Sequence, residues 1–411
     1  MLSVILDCCA GLDVHKNVVW ATLLKSTESG ETKKVRDYKT FSRKLAALAA
    51  WLKKEGVQMV VMESTGVYWK SVYEALENAD VPVMVVNALH VKKVPGRKTD
   101  ISDSEWLAEL ARCGLLHGSF VPPKDLREVR LLTRYRMKLV RNLASEKNRL
   151  HKVLDDCGVR LGSVVSDIDG VSAREMIASL ITGEKSPDEM ARLGRGRLRE
   201  KAEELRLAMD SAISDRHRYL LGRIESHIIW LKDDIAEIDG QIVAAMEPYQ
   251  QEWQSLQTIP GLDEMSAAML LAEIGSDMSS FPKKSHLSSW AGMCPGNNAS
   301  AGKKKSGRTR KGNRYVKTIL CEAAQSARRT QCQFKDVFQG LAGRRGYKRA
   351  IIAVGRKMLE TAYIILKRNE PYRDPVVTYE ELMVRRNAPR WLRALKKFGY
   401  LPDQTAAATI R

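Results

Sequence analysis

The order in which the hydrophobic period changes over residues 11–113 constrains this chain more than any other feature of it. Residues 11–24 (GLDVHKNVVWATLL) alternate as two strands folded about His15, Lys16 and Asn17, and 33–41 (KKVRDYKTF) continue as a third. The period then lengthens: Leu45, Leu48, Ala49 and Leu52 recur at helical spacing and mark an amphipathic helix over 42–55. An apolar run at 58–62 predicts a buried strand, followed by a helix near 70–78, a strand at 81–87 and a helix over 99–113. Three meandering strands and two strand–helix units, in the order βββαβαβα, predict an α/β domain of the ribonuclease H-like kind, a mixed sheet with helices on its faces. Such a layout names a scaffold and not a reaction.

Beyond it the pattern is all-α. Residues 124–157 read as a basic helix, whereas 158–196 carry the Gly and Ser signals of a less regular connection. Ile224, Ile228, Leu231, Ile235, Ile238 and Ile242 alternate in steps of four and three, a heptad seam that needs a partner helix in the same chain or in a second subunit. After Pro260 and Gly261, TIPGLDEMSAAMLLAEIG reads as a turn feeding a small-residue helix. The turn fits a helix-hairpin-helix module, whose backbone amides hold a phosphate, and fits equally a glycine that only ends a helix. A later helix puts Ile351, Val354, Met358, Thr361 and Ile365 on one face and closes that core.

A chain of 411 residues is long enough for two or three domains. Its 68 Lys and Arg against 49 Asp and Glu leave a charge of +19, which calls for a polyanionic partner. The charge is clustered: residues 303–317 (KKKSGRTRKGNRYVK) contain no acid, and Lys303, Lys304, Lys305, Arg308, Arg310, Lys311 and Arg314 are the expected nucleic-acid contacts. The seven cysteines are odd in number, scattered, and never stand as C-x-x-C or beside a histidine, so neither a disulfide framework nor a zinc site is indicated. With no apolar run of about 18 residues and no signal-like start, no membrane partner and a cytoplasmic location are expected.

Asp13 interrupts the first strand between Leu12 and Val14, and Glu63 ends the fourth, after the apolar run VVM. First and fourth strands are neighbours in a ribonuclease H-like sheet, so the two carboxylates meet and repel. Asp100 and Asp103, three apart, share a helical face above Leu107 and Leu110. Four converging acids make sense around divalent cations, and hard carboxylate oxygens suit Mg²⁺, two of which about 3.5–4 Å apart can serve phosphoryl transfer. The bland readings compete: Asp13 as a hairpin residue, Glu63 as a loop cap, and Ser102 with Glu105 as an S-x-x-E capping box that leaves Asp100 outside the helix.

Residues 292–317 (GMCPGNNASAGKKKSGRTRKGNRYVK) run from a Gly-, Ser- and Asn-rich loop into the basic stretch and a helix. This composition fits a turn that grips a phosphate, and also a loop in which Ser300 attacks one while Lys303 and Lys304 stabilise the developing charge.

The segments GLDVHK, MESTGVYW, KTDISDSEWLAELARCGLL, SFVPP, IPGL and PGNNASAGKKKSGRTRKGNRYVK, in this order over about residues 10–365, resemble the insertion-sequence transposases that have an N-terminal RuvC-like DEDD domain and a C-terminal serine domain, the RNA-guided bridge recombinases. Matched motif by motif, the resemblance implies metal-binding catalytic acids at Asp13, Glu63, Asp100 and Asp103 and a serine nucleophile at Ser300. Many relatives have two adjacent serines at this point; here Ala299 and Ala301 flank Ser300 and leave one candidate. The resemblance also implies donor and target DNA, a non-coding guide RNA, and a homo-oligomer, dimer or tetramer, whose active site combines domains of different subunits. The expected division is a RuvC-like DEDD domain at 1–157, a helical linker with a coiled coil at 158–250, a mainly helical serine domain at 251–370 and an irregular basic tail at 371–411.

Two rivals stand against a transposase. A junction-resolving nuclease needs the same acids and metal but attacks with water, and a non-catalytic nucleic-acid-binding protein needs only the basic loop.

Overall fold

The computed structural model describes residues 4–401, apart from 29, 65, 92–102, 297, 301–302, 307–308, 310 and 375–378. Its packing divides the chain into Met1–Val121 and Pro122–Arg411, so the helix that follows residue 122 groups with the C-terminal unit.

In the first unit β1 (Cys8–Val14), β2 (Val18–Thr27) and β3 (Gly30–Lys39) form an antiparallel meander. After it come α1 (Ser42–Lys54), β4 (Met59–Glu63), α2 (Trp69–Glu77), β5 (Val83–Val86), α3 (Ala88–Val91) and α4 (Asp103–Arg112). The mixed sheet has the order β3-β2-β1-β4-β5, with β4 parallel to both β1 and β5. First and fourth strands are therefore neighbours, as the predicted layout requires. Alternation assigns the two faces. Ala10, Leu12, Val19, Ala21, Leu23, Val60 and Met62 bury themselves under Leu45, Leu48 and Leu52 of α1 and Val72 and Leu76 of α2. Cys9, Leu24, Val61 and Val86 point the other way, against Trp106, Leu107 and Leu110 of α4. The first strand begins three residues earlier than the pattern indicated, and α3 was not foreseen.

The second unit opens with α5 (Lys124–Asp156), followed by α6 (Leu161–Val164), α7 (Val171–Thr182), α8 (Pro187–Ala191), α9 (Ala202–Met209) and α10 (Asp215–Ala245). Polar contacts pair Arg136 with Asp239, Glu146 with His227 and Asp156 with His217, so α10 runs antiparallel along α5 of its own chain. Ile224, Ile228, Leu231 and Ile242 of the heptad seam are buried, while Ile235 and Ile238 are half-buried. The stretch read as a less regular connection is helical: Leu161, Ile168, Met176, Ile177, Leu180, Met190 and Leu205 form a core with Leu150, Leu154, Leu221 and Ile224. Its glycines do not prevent helices: Gly162 lies within α6, Gly170 stands just before α7, and Gly183 ends α7 in the left-handed region (φ +72).

Next come α11 (Gln250–Gln257), α12 (Glu264–Ile274), α13 (Lys284–Trp290), a hairpin of β6 (Asn298–Ser300) and β7 (Lys303–Ser306), α14 (Arg314–Ala327), α15 (Gln333–Arg345), α16 (Tyr347–Arg368) and α17 (Tyr379–Lys397). Every residue of α12 from Ala267 to Ile274 is buried, which its small side chains permit by letting helices approach on all sides. Gly261, with φ +91, lets the Pro260 turn touch α14: a Cβ there would fall 2.3 Å from the Ala323 carbonyl oxygen. This packing accounts for the glycine, and the Asp263 carboxylate already accepts from the Ser266 amide at 2.8 Å at the start of α12. The tail read as irregular holds α17, a correction: Pro371, Pro375, Pro389 and Pro402 punctuate it as a loop would be punctuated, yet the helix runs through Pro389. No helix of the described residues is long and apolar enough to cross a membrane.

Candidate active site

The carboxyl ends of β1 and β4 bring the first two acids together. The parallel register pairs Leu12 with Met62, so the next residue on each strand sets Asp13 beside Glu63, on strands about 4.8 Å apart. Leu12 and Met62 both belong to the α1 and α2 core, and alternation therefore turns Asp13 and Glu63 to the face that α4 covers. Asp103 is the first residue of α4. The next residue, Ser104, shares a 2.8 Å hydroxyl–hydroxyl hydrogen bond with Thr22 of β2, and its carbonyl oxygen would lie 2.0 Å from a Cβ on Gly11. Gly11 and Asp13 are on one face, about 7 Å apart along the strand. The head of α4 is thus fixed over the end of the sheet where Asp13 and Glu63 stand.

Asp103 is exposed and Asp13 and Glu63 are half-buried, so all three face the solvent-accessible rim of the sheet and none is sealed in the core. Asp100 and Ser102, the residue weighed as a helix cap, lie outside the described residues. Glu105, the other half of that capping box, makes an ion pair with Lys33 of β3 at 2.5 Å. Among the described residues no group of three or more His, Cys, Asp or Glu side chains is closed up to metal-binding distances. The donor chemistry nevertheless fits a hard divalent cation: two adjacent carboxylates on one sheet face and a third at the head of the helix above them.

Sequence reasoning passed over two residues here. His15, just past the end of β1, donates through Nε2 to Asp13 Oδ2 at 3.0 Å, and a D-x-H spacing at a strand end is the signal that would have found it, since i and i+2 share a face. Trp20 is the cross-strand partner of Asp13 and leaves an indole 45% exposed beside it.

The serine segment folds as a hairpin where the sequence indicated a loop. Ser300 ends β6 opposite Lys303, and Ala299 stands opposite Lys304, with an irregularity between Asn298 and Ala299. Lys305 is also in β7. The connection 301–302, Arg308 and Arg310 lie outside the described residues. Lys311 and Arg314 are exposed, and Arg314 donates to the Tyr315 hydroxyl at 2.9 Å, which holds that hydroxyl below its usual pKa.

Residues 10–158 match the family model of an IS110-type DEDD transposase domain, and residues 254–339 match the transposase family IS116/IS110/IS902, together more than half of the chain. The chain belongs to the IS110 family of transposases. Asp13, Glu63, Asp100 and Asp103 fall within the first matched segment of this transposase, and Ser300 and the basic run within the second. No curated protein matches the chain.

Proposed function

We propose that this transposase cuts and rejoins DNA through a covalent serine intermediate, with Ser300 as nucleophile and Asp13, Glu63, Asp100 and Asp103 as the residues that hold a divalent cation, Mg²⁺ by the hardness of their oxygens. The observation that carries the reading is the meeting of Asp13 and Glu63 on the sheet face beneath the head of α4, where Asp103 begins. When bound, the cation neutralises charge at the scissile phosphate and lowers the pKa of the attacking hydroxyl. Ser300 Oγ bonds to phosphorus and the bridging strand oxygen leaves. The serine proton passes to water and the departing oxygen takes one up. The phosphoserine ester conserves the bond, so a second DNA end displaces the serine without an outside energy source. The basic run at 303–314 grips backbone phosphates. Pairing of a non-coding RNA with donor and target strands supplies the sequence reading, and a homo-oligomer brings the ends together.

The test is a suicide DNA substrate analysed on denaturing gels with peptide mapping of the adduct. Wild type and Ser306→Ala are expected to form a protein–DNA adduct at Ser300, while Ser300→Ala, Asp13→Asn and wild type in EDTA bind DNA and form none. Cleavage by Ser300→Ala that releases ends free of protein makes water the nucleophile and the protein a junction-resolving nuclease.

A further inference from the structure

Glu273, in the middle of the second unit, is a buried carboxylate that no step above uses. Its side chain is 1% exposed. Arg134 of α5 grips it with both nitrogens, at 2.7 and 2.9 Å, and Arg130 approaches at 3.3 Å while also donating to the Ala272 carbonyl at 2.9 Å. Burial pulls the Arg130 guanidinium down to about 10 although Glu273 opposes the shift. Two half-buried guanidinium groups on one buried carboxylate do not cancel in charge, and such a network is weak evidence of a stabilising role. What the network does is fix geometry, because Oε2 also accepts from Asn313 Nδ2 at 2.6 Å.

Asn313 is held at its other end too. Its Oδ1 caps α14 by accepting from the amides of Tyr315 at 2.9 Å and Val316 at 3.2 Å. One residue earlier, Gly312 lies against the start of the same loop: a Cβ there would fall 2.4 Å from the Gly292 nitrogen and 2.5 Å from the Ala291 carbonyl carbon. The segment that carries β6 and β7 therefore leaves and returns at one backbone contact, and the pin that holds this base is Asn313 on Glu273. Arg134 reinforces it from α5, with its guanidinium 4.3 Å above the Tyr315 ring. A segment of this length samples many arrangements unless its base is fixed.

We propose that Glu273 is a positioning residue: through Asn313 it anchors the base of the serine hairpin and sets where Ser300 is presented, an inference that rests on Ser300 being the nucleophile. Displacing a reacting group by about 1 Å costs about a hundredfold in rate, so a loosened anchor shows in the chemical step and not in binding.

The experiment compares Asn313→Ser, Asn313→Asp and the double variant Glu273→Gln/Asn313→Asp with wild type. Serine keeps a capping oxygen but cannot reach Glu273; aspartate keeps the cap and sets two carboxylates against each other; the double variant reverses donor and acceptor between positions 273 and 313 at constant net charge, while giving up the Arg134 bond to Oε2. Single-turnover adduct formation at saturating DNA is expected to fall ten- to a hundredfold in both single variants, with the DNA affinity of Asn313→Ser within about threefold of wild type, and to recover in part in the double variant, which still lacks one Arg134 bond. Without DNA, trypsin is expected to cut within residues 303–311 faster in Asn313→Ser than in wild type. That second readout does not involve the nucleophile: faster cutting in a protein whose Ser300→Ala variant still cleaves DNA upholds the anchor and removes the serine from it. Wild-type adduct rates and trypsin sensitivity in Asn313→Ser overturn the proposal.

Discussion

Gly11 is the residue on which the carboxylate end of the sheet depends most directly. A Cβ at this position would lie 2.0 Å from the Ser104 carbonyl oxygen and 2.5 Å from the Ala108 amide nitrogen. Both are backbone atoms of α4, and a helix backbone cannot rotate out of the way as a side chain does. Gly11→Ala is expected to lift the head of α4, which begins at Asp103, from β1. Overpacking of this kind costs about 3 kcal/mol, so thermal denaturation of the variant should occur several degrees lower, with adduct formation lost even below that temperature. Unchanged melting and activity would mean that α4 does not lie on Gly11. In the sequence Gly11 is only a letter of GLDVHK, because the helix that meets it lies more than ninety residues away. The adjacency of Asp13 and Glu63 was legible, since strand order follows from the sequence of elements, and so was one sheet face for both, since alternation follows from Leu12 and Met62. His15 was equally legible and was overlooked; Trp20 was not, because a strand tryptophan is ordinarily core.

At the scale of elements, α4 combines an apolar underside with acids on its flank. Burial, and then the nearby charges of Glu105 and Glu31, push the Glu109 carboxyl above its usual pKa. A carboxyl raised in the folded state favours folding only while protonated: its contribution is present below the unfolded pKa of about 4.3 and is lost as pH rises through the folded value. Glu109→Gln is therefore expected to melt higher than wild type at pH 7, and the gap should close as pH falls toward 4. A gap that is constant from pH 4 to pH 8, followed by calorimetry or circular dichroism, would assign the effect to packing instead of charge. Periodic elements such as α1, α4 and the seam of α10 were readable in sequence, whereas α17 was not, because the prolines around and within it read as a loop. The partner of that seam was not, because α5 is recognisable as its mate only from the paired charges Arg136–Asp239 and Glu146–His227. The β6–β7 hairpin was hidden for another reason. Lysine, serine and asparagine carry little strand preference, and the contact of Gly312 with Gly292 that brings the ends of the segment together is not visible in sequence.

Across the whole molecule the two motifs fall in different units, the acids Asp13, Glu63 and Asp103 within Met1–Val121 and the serine hairpin within Pro122–Arg411. The net charge of +19 belongs to the whole chain, and two explanations of DNA affinity follow from it. Either charge anywhere on the surface contributes by long-range attraction, or the run at 303–314 contacts phosphates and releases their counterions. The two differ in how affinity depends on salt. Each phosphate contact adds about 0.9 to the slope of log affinity against log salt on duplex DNA, so replacing Lys303, Lys304, Lys305 and Arg308 with Ala is expected to reduce that slope by about 3 to 4. A matched control removes the same charge elsewhere: Arg390, Arg393, Lys396 and Lys397 are exposed on α17. With a fluorescent duplex titrated at salt from about 50 to 300 mM, the α17 variant should keep the wild-type slope and lose affinity only slightly, as screening over about 8–10 Å predicts for charge outside the interface. Equal loss of slope in both variants would make the binding surface a property of total charge and detach the basic run from the phosphates it is proposed to hold.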